Sequence, residues 1–411
     1  MADVETRGDL LPAEPSRPRG KHLAFANPDE HRRLSGLHEL YHRLPAVPPT
    51  WAALGRVMGL YAVVRCALLL LDVLAAHIAD GGNLAGPLLA WDGQHYVQVA
   101  ESGYPPLGTA AVDQSFGPAG FSPLFPIFIR LFALTGMSYV LAGLVVSLIA
   151  GGVATILLWR LAVALTGEET GYHATVLFVT FPCLAIPWGS LYSECLGLAL
   201  VAASLLLMVE RRWPWAGLAA LLAGATNPLG LALTPVALVP AWRQLRNREA
   251  PRALATVFMA PLGFLGFAAW LAVRYHDAFF WWHYQDKEWG ARIDFGKSLI
   301  LQLPHLWAGG YAGRTWMLWP ALLGIALASV ALWKARLPGV INAYYIALMA
   351  LLLLSNQGPK PRLLAWAFPA LIAIAKVLKD HGRQVLLITF TFLMPVIFIA
   401  FTTLGNITSQ P

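Results

Sequence analysis

Acidic and basic residues in three separate stretches have the types and spacing that chemistry requires. Asp92 lies within Trp91–Tyr96 (WDGQHY), Glu194 lies in a short turn, and Lys360 and Arg362 share one loop. A carboxylate can remove a proton from a hydroxyl group, whereas a guanidinium beside an ammonium suits a phosphate. Together these residues predict a site that binds a charged ligand and moves a proton.

Each of these residues also has a purely structural interpretation. Asp92 is placed to cap the helix that follows it, and Glu194 fits an exposed acid in a turn at the membrane interface. Lys360 fits a side chain that reaches lipid headgroups. The residues around Asp92 favour ligand binding, because Trp, Gln, His and Tyr side chains can stack on a sugar and hydrogen-bond to it. The two interpretations are compatible, and both stay open at this point.

The composition indicates the frame that must position these groups. Of the 411 residues, 57% are hydrophobic and 12% are charged, where a soluble domain carries roughly 25% charged residues. The chain is therefore predicted to be an all-α polytopic membrane protein. Its formal charge of +7 does not indicate nucleic-acid binding, because the basic residues sit mostly in the N-terminal tail and in short loops, where they encode membrane topology.

The distribution of Lys and Arg predicts which loops face outward. Residues 79–129 contain neither Lys nor Arg, so the stretches at about 79–138 and 276–314 are predicted to be external loops that carry short interfacial helices. The apolar segment Phe121–Leu134 is too short for a span and is predicted to lie in the outer face. The count is about eleven transmembrane helices, with the N-terminus inside and the C-terminus outside.

Three regions follow from this topology. Residues 1–53 are predicted to be a cytoplasmic tail, partly disordered, residues 54–404 a transmembrane domain, and residues 405–411 a short external tail. The cysteines lack metal-ligand spacing, no cofactor is expected, and Asp92 with Glu194 is only a weak candidate for a divalent metal. The sequence has no Gly-rich nucleotide loop, so an activated substrate is expected to arrive in the membrane.

Several of these motifs, taken in chain order, resemble one known family. They are similar to the phosphatidylinositol-glycan class V mannosyltransferases (GPI mannosyltransferase 2-like) and their bacterial relatives, which are multi-spanning GT-C glycosyltransferases. The resemblance covers most of residues 55–400 and rests on Trp91–Pro105, Phe121–Pro126, Leu191–Glu194, Gln285, Trp289, Pro361–Leu363 and Phe368-Pro369. One departure is Asn227, because the family usually shows an arginine near this position.

The resemblance implies a fold and an activity. A GT-C-like enzyme would transfer mannose from a polyprenyl-phosphate-linked donor to a hydroxyl of a lipid, glycan or protein acceptor. Transfer would take place on the extracytoplasmic face of the cell membrane and with inversion. The first external loop would supply the catalytic carboxylate. Two alternatives remain, which are a GT-C enzyme that uses another lipid-linked sugar and a polytopic transporter or flippase.

The expected roles can then be assigned to individual residues. Asp92 is expected to act as the catalytic base, with His95 and Glu194 orienting the acceptor or tuning Asp92. Arg362 and Lys360, with Arg292 as a further candidate, are expected to bind the donor phosphate. The residues expected to bind the sugar or the acceptor are Trp91, His95, Tyr96, Tyr192, Glu194, Gln285 and Trp289.

Overall fold

The computed structural model describes residues 50–79, 85–107, 117–244, 250–304 and 315–403, and the secondary-structure elements of this part of the chain are helices joined by loops. The predictions for the N-terminal tail up to residue 49, for residues 80–84, 108–116 and 305–314 of the two external loops and for the C-terminal tail lie outside the described residues. The α-helices of the described part are, in chain order, α1 (Trp51–Ala79), α2 (Ala85–Leu88), α3 (Asp92–Ser102), α4 (Leu124–Ala133), α5 (Tyr139–Thr166), α6 (Glu168–Val179), α7 (Ala185–Gly189), α8 (Glu194–Val209), α9 (Trp213–Thr226), α10 (Leu233–Gln244), α11 (Ala250–Tyr275), α12 (Phe280–Trp289), α13 (Lys297–Gln302), α14 (Thr315–Ala335), α15 (Gly339–Leu353), α16 (Pro361–Leu364), α17 (Pro369–Val377) and α18 (Asp380–Thr403).

Long apolar helices show that the chain is a multi-pass membrane protein. Within the described residues, five helices are long and apolar enough to cross a membrane, namely α1, α5, α11, α14 and α18. A sixth span results if α6 and the segment Pro182–Gly189, which is bent from it by 49°, cross together. Pro182 lies directly after this break, where a proline cannot continue the helical hydrogen-bond ladder. The prediction of about eleven spans stays a prediction.

Local sequence signals define where several helices begin and end. Ser138 precedes α5, and its side chain accepts a hydrogen bond from the Leu141 backbone N–H, which satisfies one of the unpaired donors of the first turn. The same helix ends at Gly167, which has a φ of 88°. Helix α4 has ten residues and is too short to cross a bilayer.

The helices pack around a core rich in small and aromatic residues. The largest buried cluster includes Trp188, Tyr344 and Trp366 and joins α1, α5, α6, α8, α9, α15 and α17. Gly263 lets α11 approach α9 closely, because a β-carbon at this position would overlap the Leu221 carbonyl. Large apolar side chains on the outer surface, such as Val273 with 77% exposure, suit contact with lipid tails.

Two polar stretches that the sequence separates widely are joined in the fold. The first contains α3 and α4, and the second contains α12. The Tyr275 hydroxyl at the end of α11 donates to the Pro105 carbonyl over 2.8 Å, and Trp281 Nε1 donates to the Gly120 carbonyl over 3.1 Å. Both stretches therefore form one surface around the start of α3, where the predicted site residues lie. Their predicted external location stays a prediction.

Candidate active site

A cluster of one buried and two partly buried charged side chains brings together residues from distant parts of the chain. Asp92 begins α3, Glu194 begins α8, and Arg362 lies in α16. The Nη1 atom of Arg362 donates a hydrogen bond to Asp92 Oδ2, and its Nε atom lies 3.4 Å from Glu194 Oε1. The side chains of Arg362, Asp92 and Glu194 are 16%, 13% and 2% exposed. One guanidinium thus compensates two buried carboxylates.

The backbone around Asp92 holds its side chain in this cluster. The preceding residue, Trp91, has a φ of 49° and lies at the N-cap position, where its side chain makes no capping hydrogen bond. The prediction that Asp92 caps α3 is therefore wrong, because Asp92 is the first helical residue and its carboxylate contacts Arg362 instead. Gly93 packs against the Leu88 carbonyl, and a β-carbon at Gly93 would lie only 2.7 Å from that oxygen.

The turn before α8 forms the wall behind the charged cluster. The Tyr96 hydroxyl and Ser193 Oγ lie 2.7 Å apart and share a hydrogen bond. The Asp92 backbone N–H donates to the Tyr192 hydroxyl over 3.3 Å, and the Arg362 guanidinium carbon lies 5.0 Å from the centre of the Tyr192 ring. This cation–π contact and the two carboxylates fix the guanidinium from three directions.

The charged cluster opens into a cavity of about 210 Å³. Its wall combines charged, aromatic and neutral polar side chains. The lining residues are Asp92, Tyr96, Gly120, Phe121, Ser122, Glu194, Thr226, Asn227, Pro228, Trp281, Gln285, Trp289, Ala291, Gln357, Lys360, Arg362 and Leu363.

A set of hydrogen bonds ties the loop that carries Arg362 to the end of α12. The Asn356 side chain uses both ends of its amide: Nδ2 donates to the Gly290 carbonyl over 2.6 Å, and Oδ1 accepts from the Arg292 backbone N–H over 2.9 Å. The next side chain, Gln357, donates to the Trp289 carbonyl over 3.2 Å. Two walls of the cavity, one with Trp289 and one with Arg362, are therefore joined directly.

The cavity contains most but not all of the residues that the sequence singled out. Those that line it are Asp92, Tyr96, Glu194, Gln285, Trp289, Lys360 and Arg362. Trp91 and Tyr192 do not line it and pack together in a small buried cluster with Ile186 and Ile397.

His95 and Arg292 take other places in the structure. The His95 ring is buried, and its centre lies 5.0 Å from that of Phe121 and 6.2 Å from that of Trp289, so it supports the aromatic wall from behind. Burial lowers the pKa of His95, although the nearby Asp92 carboxylate opposes this shift. Arg292 is 67% exposed, lies 3.7 Å from Asp286 and does not line the cavity. Its predicted contact with a donor phosphate stays a prediction.

Several lining residues were not predicted from the sequence. Ser122, Trp281 and Gln357 carry no charge and no recognisable spacing, so nothing in the chain marks them as ligand contacts. Thr226 and Asn227 lie at the end of α9 and reach the cavity. The Asn227 side chain accepts from the Leu229 backbone N–H over 3.0 Å, at the position where the resembling family usually has an arginine.

Metal binding has no obvious place in the described part of the chain. No group of three or more His, Cys, Asp or Glu side chains is arranged there to hold an ion. The weak candidate pair, Asp92 and Glu194, shares Arg362 as its counter-ion. The expectation that no metal is needed stays a prediction.

Comparison with known proteins finds a likeness in structure. Neither a family model nor a curated protein matches the chain. Among solved structures, the chain is similar to the crystal structure of ArnT from Cupriavidus metallidurans bound to undecaprenyl phosphate, with a TM-score of 0.54 and 16% sequence identity. The match covers 87% of this chain and 66% of ArnT, so this chain spans slightly less than two thirds of the length of that protein.

This likeness confirms the predicted fold class. At such low identity it shows the fold, which is the all-helical, multi-pass GT-C-like fold. The class V mannosyltransferase family is not tested by the comparison and stays a prediction.

Proposed function

We propose that this protein is a membrane glycosyltransferase that moves a sugar from a polyprenyl-phosphate-linked donor to a hydroxyl of an acceptor. The observation that carries the proposal is the convergence of Asp92, Glu194 and Arg362 in one cavity that also presents Lys360 and Trp289. The GT-C-like fold supports it, because ArnT, which shares this fold, binds undecaprenyl phosphate. Mannose as the sugar rests on the sequence resemblance.

The reaction needs a base on one side of the sugar and a phosphate anchor on the other. The acceptor oxygen attacks the anomeric carbon, the bond from that carbon to the phosphate oxygen breaks, and polyprenyl phosphate leaves with the bonding electrons. Asp92 removes the proton of the acceptor hydroxyl. Because attack and departure occur on opposite faces of the ring, the product has inverted configuration.

The leaving phosphate requires compensation of its charge more than it requires a proton. Arg362 supplies a planar fork of donors, and Lys360 lines the same cavity. Cations fixed where charge develops lower the barrier without reorganisation. In this arrangement Arg362 and Lys360 receive the phosphate, while Tyr96 and Trp289 offer aromatic surfaces to the sugar.

Glu194 and Gln285 are placed to form hydrogen bonds with hydroxyl groups of the ligand. The Oε2 atom of Glu194 is buried at the cavity and has no hydrogen-bond partner among the described residues. A buried carboxylate oxygen without a partner is costly, and a sugar hydroxyl would satisfy it. Gln285 contacts the Gly120 carbonyl through Nε2 over 3.4 Å and presents its amide to the same cavity.

The orientation in the membrane follows from the charge of the loops. Arg211 and Arg212 lie between α8 and α9, Lys334 lies in the last turn of α14, and Arg336 follows that helix. None of them lines the cavity. Under the positive-inside rule they face the cytoplasm. The cavity then opens on the extracytoplasmic face of the cell membrane, and the donor reaches it within the bilayer.

Membranes that contain the protein can be incubated with labelled polyprenyl-phosphomannose to test this proposal. Label in a new glycolipid, glycan or glycoprotein supports the transferase. Label that crosses the bilayer while it stays on the polyprenyl lipid supports a flippase and contradicts the proposal. Parallel incubation with donors that carry another sugar tests the identity of the sugar separately.

A further inference from the structure

The contact between Asp92 and Arg362 conflicts with the geometry that sugar transfer requires. In the structure the two side chains share a direct hydrogen bond. During transfer the acceptor hydroxyl and the anomeric carbon lie between the base and the phosphate. Two hydrogen bonds of about 2.8 Å each, one at either end, add up to nearly 6 Å, and the ligand atoms between them lengthen this distance. A ligand that spans the two groups in this way takes the place of the direct contact, so the contact opens when such a ligand binds.

The two carboxylates hold Arg362 in different ways. Glu194 lies beside Nε, the guanidinium nitrogen closest to the aliphatic stem, and its side chain is 2% exposed. Asp92 accepts a hydrogen bond from Nη1, a terminal nitrogen of the guanidinium, and its side chain is 13% exposed at the cavity. The Tyr192 ring supports the guanidinium face at 5.0 Å. Of the two acids, Asp92 is the one that an incoming anion can replace without removing Arg362 from its place.

We infer that Asp92 is an exchangeable counter-ion of Arg362, which the donor phosphate displaces, and that this exchange releases the Asp92 carboxylate to act as the base. The inference rests on the proposed function and also predicts the order in which the two substrates bind. An acceptor that arrives first meets a carboxylate already engaged by Arg362. The donor therefore binds first, and Glu194 keeps Arg362 positioned while its other partner changes.

The exchange has a measurable consequence for binding, because Asp92 competes with the phosphate for the same guanidinium nitrogen. Replacing Asp92 by a neutral residue removes this competitor. We expect Asp92→Asn to bind undecaprenyl phosphate, a probe that carries no sugar, about tenfold more tightly than wild type. Asp92→Ser provides a second neutral replacement if the first variant does not fold.

Two control variants separate exchange from a general effect of charge. Glu194→Gln removes the other carboxyl group from the same cluster but leaves Asp92 on Arg362. Glu101→Gln removes an exposed carboxylate from α3, outside the cavity lining. Exchange predicts a larger gain in affinity for Asp92→Asn than for Glu194→Gln, and no gain for Glu101→Gln.

The experiment titrates undecaprenyl phosphate onto the full-length protein in nanodiscs and measures its dissociation constant for each variant. A tighter Asp92→Asn complex supports the exchange. Equal gains for the Asp92 and Glu194 variants, an unchanged affinity of Asp92→Asn, or no binding to any variant overturns it.

A separate assay of sugar transfer distinguishes this inference from the proposed function. If wild type transfers sugar but Asp92→Asn gains no affinity, only the exchange is wrong. If Asp92→Asn gains affinity but wild type yields no product with any donor, the exchange stands and the proposed transfer is wrong.

Discussion

Replacing Arg362 by methionine tests the buried charge cluster without any assumption about substrates. Methionine has a similar length but no charge, so the two carboxylates beside it lose their counter-ion. Removing one partner of a buried ion pair costs about 3–5 kcal/mol. Water in the cavity can reach Asp92, which is 13% exposed, but it reaches little of Glu194, which is 2% exposed. We therefore expect Arg362→Met to lower the free energy of unfolding by an amount near the lower end of this range, about 3 kcal/mol.

Arg292→Met is the matched control because Arg292 also contacts a carboxylate. It lies 3.7 Å from Asp286, and the two side chains are 67% and 50% exposed. An exposed ion pair contributes less than about 1 kcal/mol, so this variant should remain close to wild type. The free energy of unfolding can be measured in detergent by denaturant titration, with the thermal midpoint as a second readout.

A second substitution shows whether the loss comes from an uncompensated buried charge. Adding Glu194→Gln to Arg362→Met removes that charge and should recover a large part of the lost stability. Equal losses for the two arginine variants would refute the reasoning. The same conclusion would follow if Glu194→Gln lowered the stability of Arg362→Met further.

Three more predictions concern the surroundings of the cluster. Gly93→Ala places a β-carbon 2.7 Å from the Leu88 carbonyl and should destabilise the protein by about 1–3 kcal/mol. The control Gly266→Ala has no atom within 4 Å of the new β-carbon and should stay within about 1 kcal/mol of wild type. Equal thermal midpoints for the two variants would contradict this prediction. Asn356→Ala removes two hydrogen bonds between the two cavity walls, so the KM for the donor should rise severalfold. An unchanged KM would argue that these hydrogen bonds do not position the donor site. Burial lowers the pKa of His95 in the folded protein, so stability should fall as the pH drops below about 6.5, where the unfolded chain takes up the proton first. His95→Gln should therefore lose less stability than wild type between pH 7.5 and pH 5.5. An equal loss in both proteins would show that His95 does not cause the pH dependence.

The elements that carry the site could be predicted because their signals are local. The apolar pattern and the Gly103 that follows give the bounds of α3, and the unbroken apolar run of Trp213–Thr226 gives those of α9. Asp92, Glu194 and Arg362 could be singled out because charged residues are rare in such a chain and are costly in a membrane unless they are used.

The contacts between these elements could not be predicted, because they depend on tertiary structure. Asp92 and Arg362 are 270 positions apart in the chain, and local rules therefore assigned Asp92 to helix capping. Arg292 was selected by charge alone, which does not distinguish a side chain that points into a cavity from one that points to solvent. Ser122 and Gln357 reach the cavity through loop geometry, and neutral polar residues in loops carry no signal of their own.

The most direct test of the central claim is the rate of sugar transfer by purified Asp92→Asn at saturating donor. Loss of a general base costs about 10²–10⁴-fold, and we expect at least this reduction while the variant remains folded and Glu101→Gln keeps wild-type activity. Transfer by Asp92→Asn at a rate near that of wild type would contradict the account.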